Sequence, residues 1–289
     1  MGRRAVIAGW CVALGCLPGC VGARLRREKA EEMTAAASER QELRVAATAA
    51  IDRGDYVQAR ADLVRWAARS ARSAEPHFLL GKVLQLQDDL PEAEASYRRA
   101  LAIEPQYVGA LIGLGQVDAR LDRPEAALRR FETAIEVDPR QPEAHFARGR
   151  VLERLGRADD ALDAYFRTLE LNPASAPAMV RVAALQLGQG QPDQALVRLD
   201  QASEIAPDDG EVRYQRGLVH LAKKEARPAV DDFRFAAERL GDRPDVLLGL
   251  ALALEADRDP AQARLVADKA LRLQPDSAVA RDLSRRLRR

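Results

Sequence analysis

Apolar and small residues recur along this chain with a period of 34 residues. Within residues 74–107, Phe78, Leu80 and Leu84 fall on neighbouring turns of one helix, while Ala93, Tyr97 and Ala100 form an i, i+4, i+7 stripe on a second. Pro105, Pro139, Pro173 and Pro207 keep the same period, and Pro275 follows after twice that interval. Gly81, Gly115, Gly149 and Gly217 share it too, with Ala47, Ala183 and Ala251 filling other units at that phase. Ala59, Ala93, Ala127, Ala161, Ala195, Ala229 and Ala263 complete the register. Seven units result, 40–73, 74–107, 108–141, 142–175, 176–209, 210–243 and 244–277, with no insertion between them. A single helix pair cannot bury its own apolar stripe, so the pattern requires neighbouring units to stack. Small residues where helices cross let the backbones approach, and a large ring nearby fills the remaining space.

The unit "AEPHFLLGKVLQLQDDLPEAEASYRRALAIEPQY", residues 74–107, resembles the tetratricopeptide repeat. His77, Leu80, Gly81, Leu84, Ala93, Tyr97, Ala100 and Pro105 occupy the eight signature positions of that family. Leu111, Leu114, Gly115, Ala127, Phe131, Ala134 and Pro139 repeat the match in the next unit. The resemblance implies an all-α chain of two antiparallel helices per unit, stacked into a right-handed superhelical solenoid. It also implies a concave face lined by the first helices, where a protein or peptide ligand lies.

Local punctuation fits this picture. Pro91, Pro124, Pro192 and Pro260 stand at the opening of second helices, where a missing N–H costs little. In "DRPE", residues 122–125, Asp122 is expected to cap the following helix with Glu125 three residues on. The closing Pro is replaced by Ala71 in the first unit and by Gly241 in 210–243, where a left-handed cap and Pro244 preserve the phase. Residues 278–289 are expected to form a capping helix, and residues 20–39, rich in Arg, Glu and Ala, a tether that becomes helical as it enters the first unit.

The N-terminus has a different pattern. Arg3 and Arg4 precede an apolar stretch, residues 5–17, about 13 residues long and too short to span a bilayer, followed by Pro18 and Gly19. That order is expected of a signal peptide over residues 1–19, the alternative being a buried helix of a cytosolic protein. All three cysteines lie in "CVALGCLPGC", residues 11–20. "LPGC" and "ALGC" both resemble the lipobox of bacterial lipoproteins, which implies acylation of Cys20 or, alternatively, Cys16. Cleavage before Cys20 leaves no free thiol in an oxidising compartment, which favours that site.

Composition narrows the chemistry. The 45 Lys and Arg residues balance 44 Asp and Glu, and aromatic residues make up 4% of the chain, which suits many helices and no nucleic-acid partner. The arginine-rich end, residues 281–289, is read as a solvated cap. His77, His145 and His220 fall on different units, and no metal-ligand spacing, phosphate loop or nucleophile elbow occurs. Of the acid pairs, three sit at turns or helix starts, and Asp231-Asp232 is expected to face solvent from a second helix. The chain is therefore expected to be no enzyme and to hold no metal or cofactor.

Binding remains. The family's ligand-contacting positions, transferred to this sequence, are Arg44, Phe78, Lys82, Gln85, Gln116, Arg120, Phe146, Arg150, Glu153, Arg154 and Tyr214. This makes the early part of the face basic with aromatic anchors, whereas Val180, Leu187, Leu248 and Leu252 occupy it later. A peptide carrying acidic and apolar residues complements such a face. A single Asn, Asn172, rules out the paired-asparagine clamp with which some members hold a C-terminal carboxylate. The combined expectation is a lipid-anchored interaction scaffold on the periplasmic side of a bacterial envelope, similar in layout to pilotin-type lipoproteins and other envelope-assembly lipoproteins. A cytosolic or inner-membrane adaptor of a regulatory complex and an accessory protein of exopolysaccharide export are the alternatives.

Overall fold

A computed structural model describes residues 18–287 of the backbone and side chains from residue 27 onward. Residues 1–17, including Cys16, therefore lie outside the described residues, as does the side chain of Cys20. Fifteen α-helices and no strand are found among the described residues: α1 Pro18–Asp52, α2 Tyr56–Arg69, α3 Glu75–Leu86, α4 Leu90–Ile103, α5 Val108–Arg120, α6 Pro124–Val137, α7 Pro142–Arg154 and α8 Ala158–Leu171. They continue as α9 Ala176–Gly188, α10 Pro192–Ile205, α11 Gly210–Ala222, α12 Ala226–Leu240, α13 Pro244–Ala256, α14 Pro260–Leu273 and α15 Ala278–Arg286. The chain divides into two compact units, the first ending at Arg123 and the second beginning at Pro124. In each, helices pack as antiparallel pairs with consecutive pairs stacked against each other. Helix α1 runs unbroken through residues 20–39 before it reaches the first pair.

Turns between the paired helices follow a device that repeats with the period. Gly54, Asp88, Asp122, Gly156, Gly190, Lys224 and Arg258, each 34 residues after the last, all have a left-handed backbone with φ between +57° and +73°. This conformation stops one helix, and the next residue starts its partner. Asp55, Asp89 and Asp259 at that following position accept a hydrogen bond from the N–H three residues on. Asp122, expected as an N-cap, stands one residue too early for that role: with φ +57° it closes α5, and the capping position falls on Arg123. Gly241, expected as a left-handed cap, takes φ +72° with ψ −162°, a conformation open to glycine but outside the left-handed helical region, so it ends α12 by an extended positive-φ turn.

The core of each unit is built on rings held by glycines. In the first unit Tyr97 of α4 lies between Gly81 of α3 and Gly113 of α5, and a Cβ on either glycine would come within 2.6 Å of Tyr97 Cε1. In the second, Phe233 of α12 is held in the same way by Gly217 and Gly249, and Tyr165 of α8 covers Gly149. Tyr97, Tyr165 and Phe233 are completely enclosed. Glycine inside a helix costs roughly 1 kcal/mol relative to alanine, whereas removing a large buried ring costs roughly 3–5 kcal/mol, so close approach outweighs the propensity loss. At the C-terminal end α15 covers the last pair with Ala280 and Leu283, and Ser284 donates to Asp268.

One acid departs from its expected environment. Asp231 is exposed, but Asp232 is only 2% exposed and faces α11 from the edge of the stripe formed by Ala229, Val230, Phe233 and Ala236. Arg216 donates to both of its carboxylate oxygens, at 2.8 and 2.7 Å, and Arg213 adds a third contact at 3.1 Å. His220 lies 3.7 Å away and pairs at 2.6 Å with Glu225. A carboxylate can be buried here because two guanidinium groups replace the water it loses.

Three substitutions test these points by urea denaturation. Gly113→Ala lowers stability by roughly 1–3 kcal/mol through overpacking despite its better helix propensity, while Gly188→Ala, which meets nothing within 4 Å, is neutral or slightly stabilising. Asp232→Ala leaves the half-buried Arg213 and Arg216 without their shared carboxylate, Arg216 keeping only Asp200, and costs about 1.5–3 kcal/mol, against less than about 0.5 kcal/mol for Asp242→Ala at the exposed pair with Lys269. Lys224→Gly relieves a left-handed lysine and raises stability by up to about 1 kcal/mol.

Candidate protein-binding faces

First helices pack directly on one another within each unit, α3 on α5 in the first, and α9 on α11 and α11 on α13 in the second. Their shared face carries the residues expected to meet a ligand. In the first unit five of these are drawn together. Phe78 packs 5.1 Å from Tyr107 and 6.2 Å from Tyr97 between ring centroids, and the Lys82 ammonium stands 5.7 Å over its face. The Tyr97 hydroxyl donates to Gln85 Oε1 at 2.9 Å, and Gln85 Nε2 donates to Gln116 Oε1 at 3.2 Å. Arg120 donates to the Gln85 carbonyl at 3.3 Å and pairs with Asp88. Arg44 stands apart from this group, 3.7 Å from Glu75.

The second unit repeats part of this arrangement 68 residues later. Phe146 lies 5.5 Å from Tyr165, whose hydroxyl donates to Glu153 at 2.8 Å, and Arg181 approaches Glu153 at 3.5 Å. Arg150 and Arg154 are exposed on the same helix, α7. Tyr214 is separate from that cluster. Its ring packs 6.0 Å from Phe233 and lies under the Arg243 guanidinium at 5.4 Å, which is itself paired with Glu211 at 2.8 Å and Asp245 at 2.5 Å.

The electrostatics suit recognition by contact. Burial pushes the Tyr97, Tyr107, Tyr165 and Tyr214 hydroxyls above the ordinary phenol range, Glu153 adding to this at Tyr165 and Asp245 at Tyr214, so each is a proton-bearing donor at neutral pH. Burial and the nearby Arg99 push His77 below the usual imidazole range. The three histidines remain on separate helices, His145 Nε2 lying 3.0 Å from the Pro139 carbonyl. Among the described residues no group of three or more His, Cys, Asp or Glu side chains could hold a metal ion. No helix among them is long and apolar enough to cross a membrane.

Gln85 and Glu153 are thus held by rings from second helices, while Lys82 and Arg150 extend into solvent. Tyr97, Tyr107 and Tyr165 belong to the faces although ligand-position spacing did not single them out. The 68-residue recurrence of Tyr97 with Gln85 and Tyr165 with Glu153 was the available signal.

Comparison with known proteins gives the same reading of the fold. Family models described as tetratricopeptide repeats match residues 74–107, 112–176 and 152–216. No curated protein sequence matches the chain. Among solved structures, a chain of the APC/C hetero-tetramer Cut9-Hcn1 superposes with a TM-score of 0.70 at 15% identity, covering 87% of this chain. This chain spans 46% of the length of that one. The pilF structure from Pseudomonas aeruginosa gives a TM-score of 0.68 at 19% identity, over 74% of this chain and 97% of the other. YrrB, described as a tetratricopeptide repeat protein with an unusual peptide-binding site, gives 0.53 at 20% identity, over 65% of this chain and 97% of its own. With its 34-residue register, paired helices and ring-and-glycine crossings, the chain belongs to the tetratricopeptide repeat proteins.

Proposed function

We propose that this chain is a non-enzymatic scaffold, anchored by lipid on Cys20 to the periplasmic side of a bacterial envelope, that holds protein partners during assembly of an envelope complex of the pilus or secretion type. The observation that carries the binding role is the set of first-helix side chains not consumed by packing. Lys82 and Arg150 are exposed on first helices, and the half-buried Phe78 and Tyr214 rings lie beside the Lys82 ammonium and the Arg243 guanidinium. The repeat fold generally serves peptide and protein recognition, and the peptide-binding site of YrrB supports the same use here. The pilF structure supports the comparison of layout, since nearly its whole length is matched by part of this chain. The anchor rests on "LPGC" and the charged, apolar and small-residue order that precedes it.

Two measurements in the producing cell test the proposal. Labelled fatty acid is incorporated into the wild type and lost in Cys20→Ala; loss in Cys16→Ala alone moves the anchor, and no label on the wild type removes it. A photocrosslinker at Lys82 or Tyr214 captures a protein that one at Arg234, exposed on a second helix, does not. Capture only from Arg234 contradicts the docking role.

A further inference from the structure

Helix α1 is longer than its packing requires. Residues 27–35 are exposed throughout, Leu43 lies against the core of the first unit, and Ala47 is the first buried residue among those described. Glu39 makes a 2.6 Å ion pair with Arg69 of α2. The stretch before it owes its helicity to composition and continuity. No Gly or Pro stands between Gly22 and Gly54, and residues 26–42 are all strong helix formers except Thr34 and Ser38. Residues 43–52, already packed, supply the nucleus, so extension towards the N-terminus needs propagation alone. Arg27 and Glu31 pair at 2.9 Å across one turn, and Ser38 donates to Glu42 at 3.2 Å. At about 1.5 Å per residue, the helix from Cys20 to Glu39 is about 28 Å long.

Charge is divided along this rod. Residues 20–29 carry Arg24, Arg26, Arg27 and Lys29 against Glu28, whereas residues 30–42 carry Glu31, Glu32, Glu39 and Glu42 against Arg40. The net charge therefore passes from +3 to −3 along one continuous helix. The four cations lie within about 14 Å of Cys20 along the axis, and the acids of the second segment begin about 16 Å away. Screening confines a surface potential to about 8 Å at physiological salt, so a surface at Cys20 acts on the basic turns much more strongly than on the acids. Anionic headgroups attract the near segment and repel the far one, which favours a helix standing on its basic end over one lying flat.

Taking the lipid anchor on Cys20 proposed above, on which this reading depends, we infer that residues 20–39 are an upright helical standoff whose basic turns seat on anionic phospholipid headgroups. The first repeat is thereby held about 28 Å from the membrane surface, and its faces stay clear of the headgroups.

The test uses the acylated chain purified from the producing membrane and reconstituted in vesicles of phosphatidylcholine, alone or with about one-third phosphatidylglycerol. With Cys20 acylated and residues 1–19 removed, an introduced cysteine is the sole free thiol. Ala30→Cys and Arg40→Cys each take a donor dye whose short-range acceptor is on lipid headgroups. In the phosphatidylglycerol vesicles, transfer from the Ala30→Cys donor exceeds that from the Arg40→Cys donor at least threefold, as for donors about 15 and 30 Å from the surface. Neutralising the basic turns with Arg24→Gln, Arg26→Gln and Lys29→Gln, which keeps good helix formers, lowers this ratio at least twofold, to its value on phosphatidylcholine alone. Breaking the rod with Ala35→Gly, Ala36→Gly and Ala37→Gly raises transfer from the Arg40→Cys donor at least twofold. Equal transfer from the two positions, or a ratio that neither the lipid nor the glutamine substitutions change, overturns the inference. If that happens while labelled fatty acid is on Cys20, the standoff falls and the anchor stands. If the wild type takes no fatty acid, both fall.

Discussion

The structure depends on the placement of one aromatic ring against glycines of the helices on either side. Tyr97 fills the space between Gly81 and Gly113, and Phe233 that between Gly217 and Gly249. Each ring therefore belongs to two successive helix pairs at once. This sharing makes the pairs interdependent: a lone pair would expose the stripe that its neighbour covers, so stability is a property of adjacent units. The buried Asp232, held by Arg213 and Arg216, adds a polar tie between α11 and α12 in the same neighbourhood.

Packing of this kind occupies second helices and the backs of first helices, and it leaves the remaining faces of the first helices available. Where a ring hydroxyl reaches that face it organises it. Tyr97 fixes Gln85 and Tyr165 fixes Glu153, so neighbouring Phe78, Lys82 and Arg150 stand beside positioned polar groups. Later in the chain the same phases become aliphatic, Ala184, Leu218 and Leu252 standing where Lys82, Gln116 and Arg150 do. A single repeat geometry thus carries two kinds of first-helix face through substitution at fixed phases.

Much of this was legible in the sequence because stacking demands a fixed residue type at a fixed phase. The helix pairs and the prolines opening second helices follow from the register alone, whereas Gly241 ends its helix at positive φ without the left-handed cap expected there. Gly113 and Gly249 carry no such signal because they lie two residues before the signature glycine phase and matter only through contact with the preceding ring. The left-handed turn series was obscured because glycine, aspartate, lysine and arginine all occupy it; the phase sets the backbone there and residue type does not reveal it. Helical periodicity places Asp232 beside the apolar stripe and so points it to solvent, while its arginine partners lie 16 and 19 residues away on another helix. Side-chain partners across helices decide such cases, and periodicity does not encode them.

Native-state hydrogen exchange on the full chain tests the ring-and-glycine account most directly. The account predicts the slowest amides in the helices that grip the rings, α3 to α5 in the first unit and α11 to α13 in the second, with residues 27–38 of α1 exchanging fastest among the helical amides. Uniform protection along all fifteen helices, or protection highest in α1 and lowest around Tyr97 and Phe233, would contradict it.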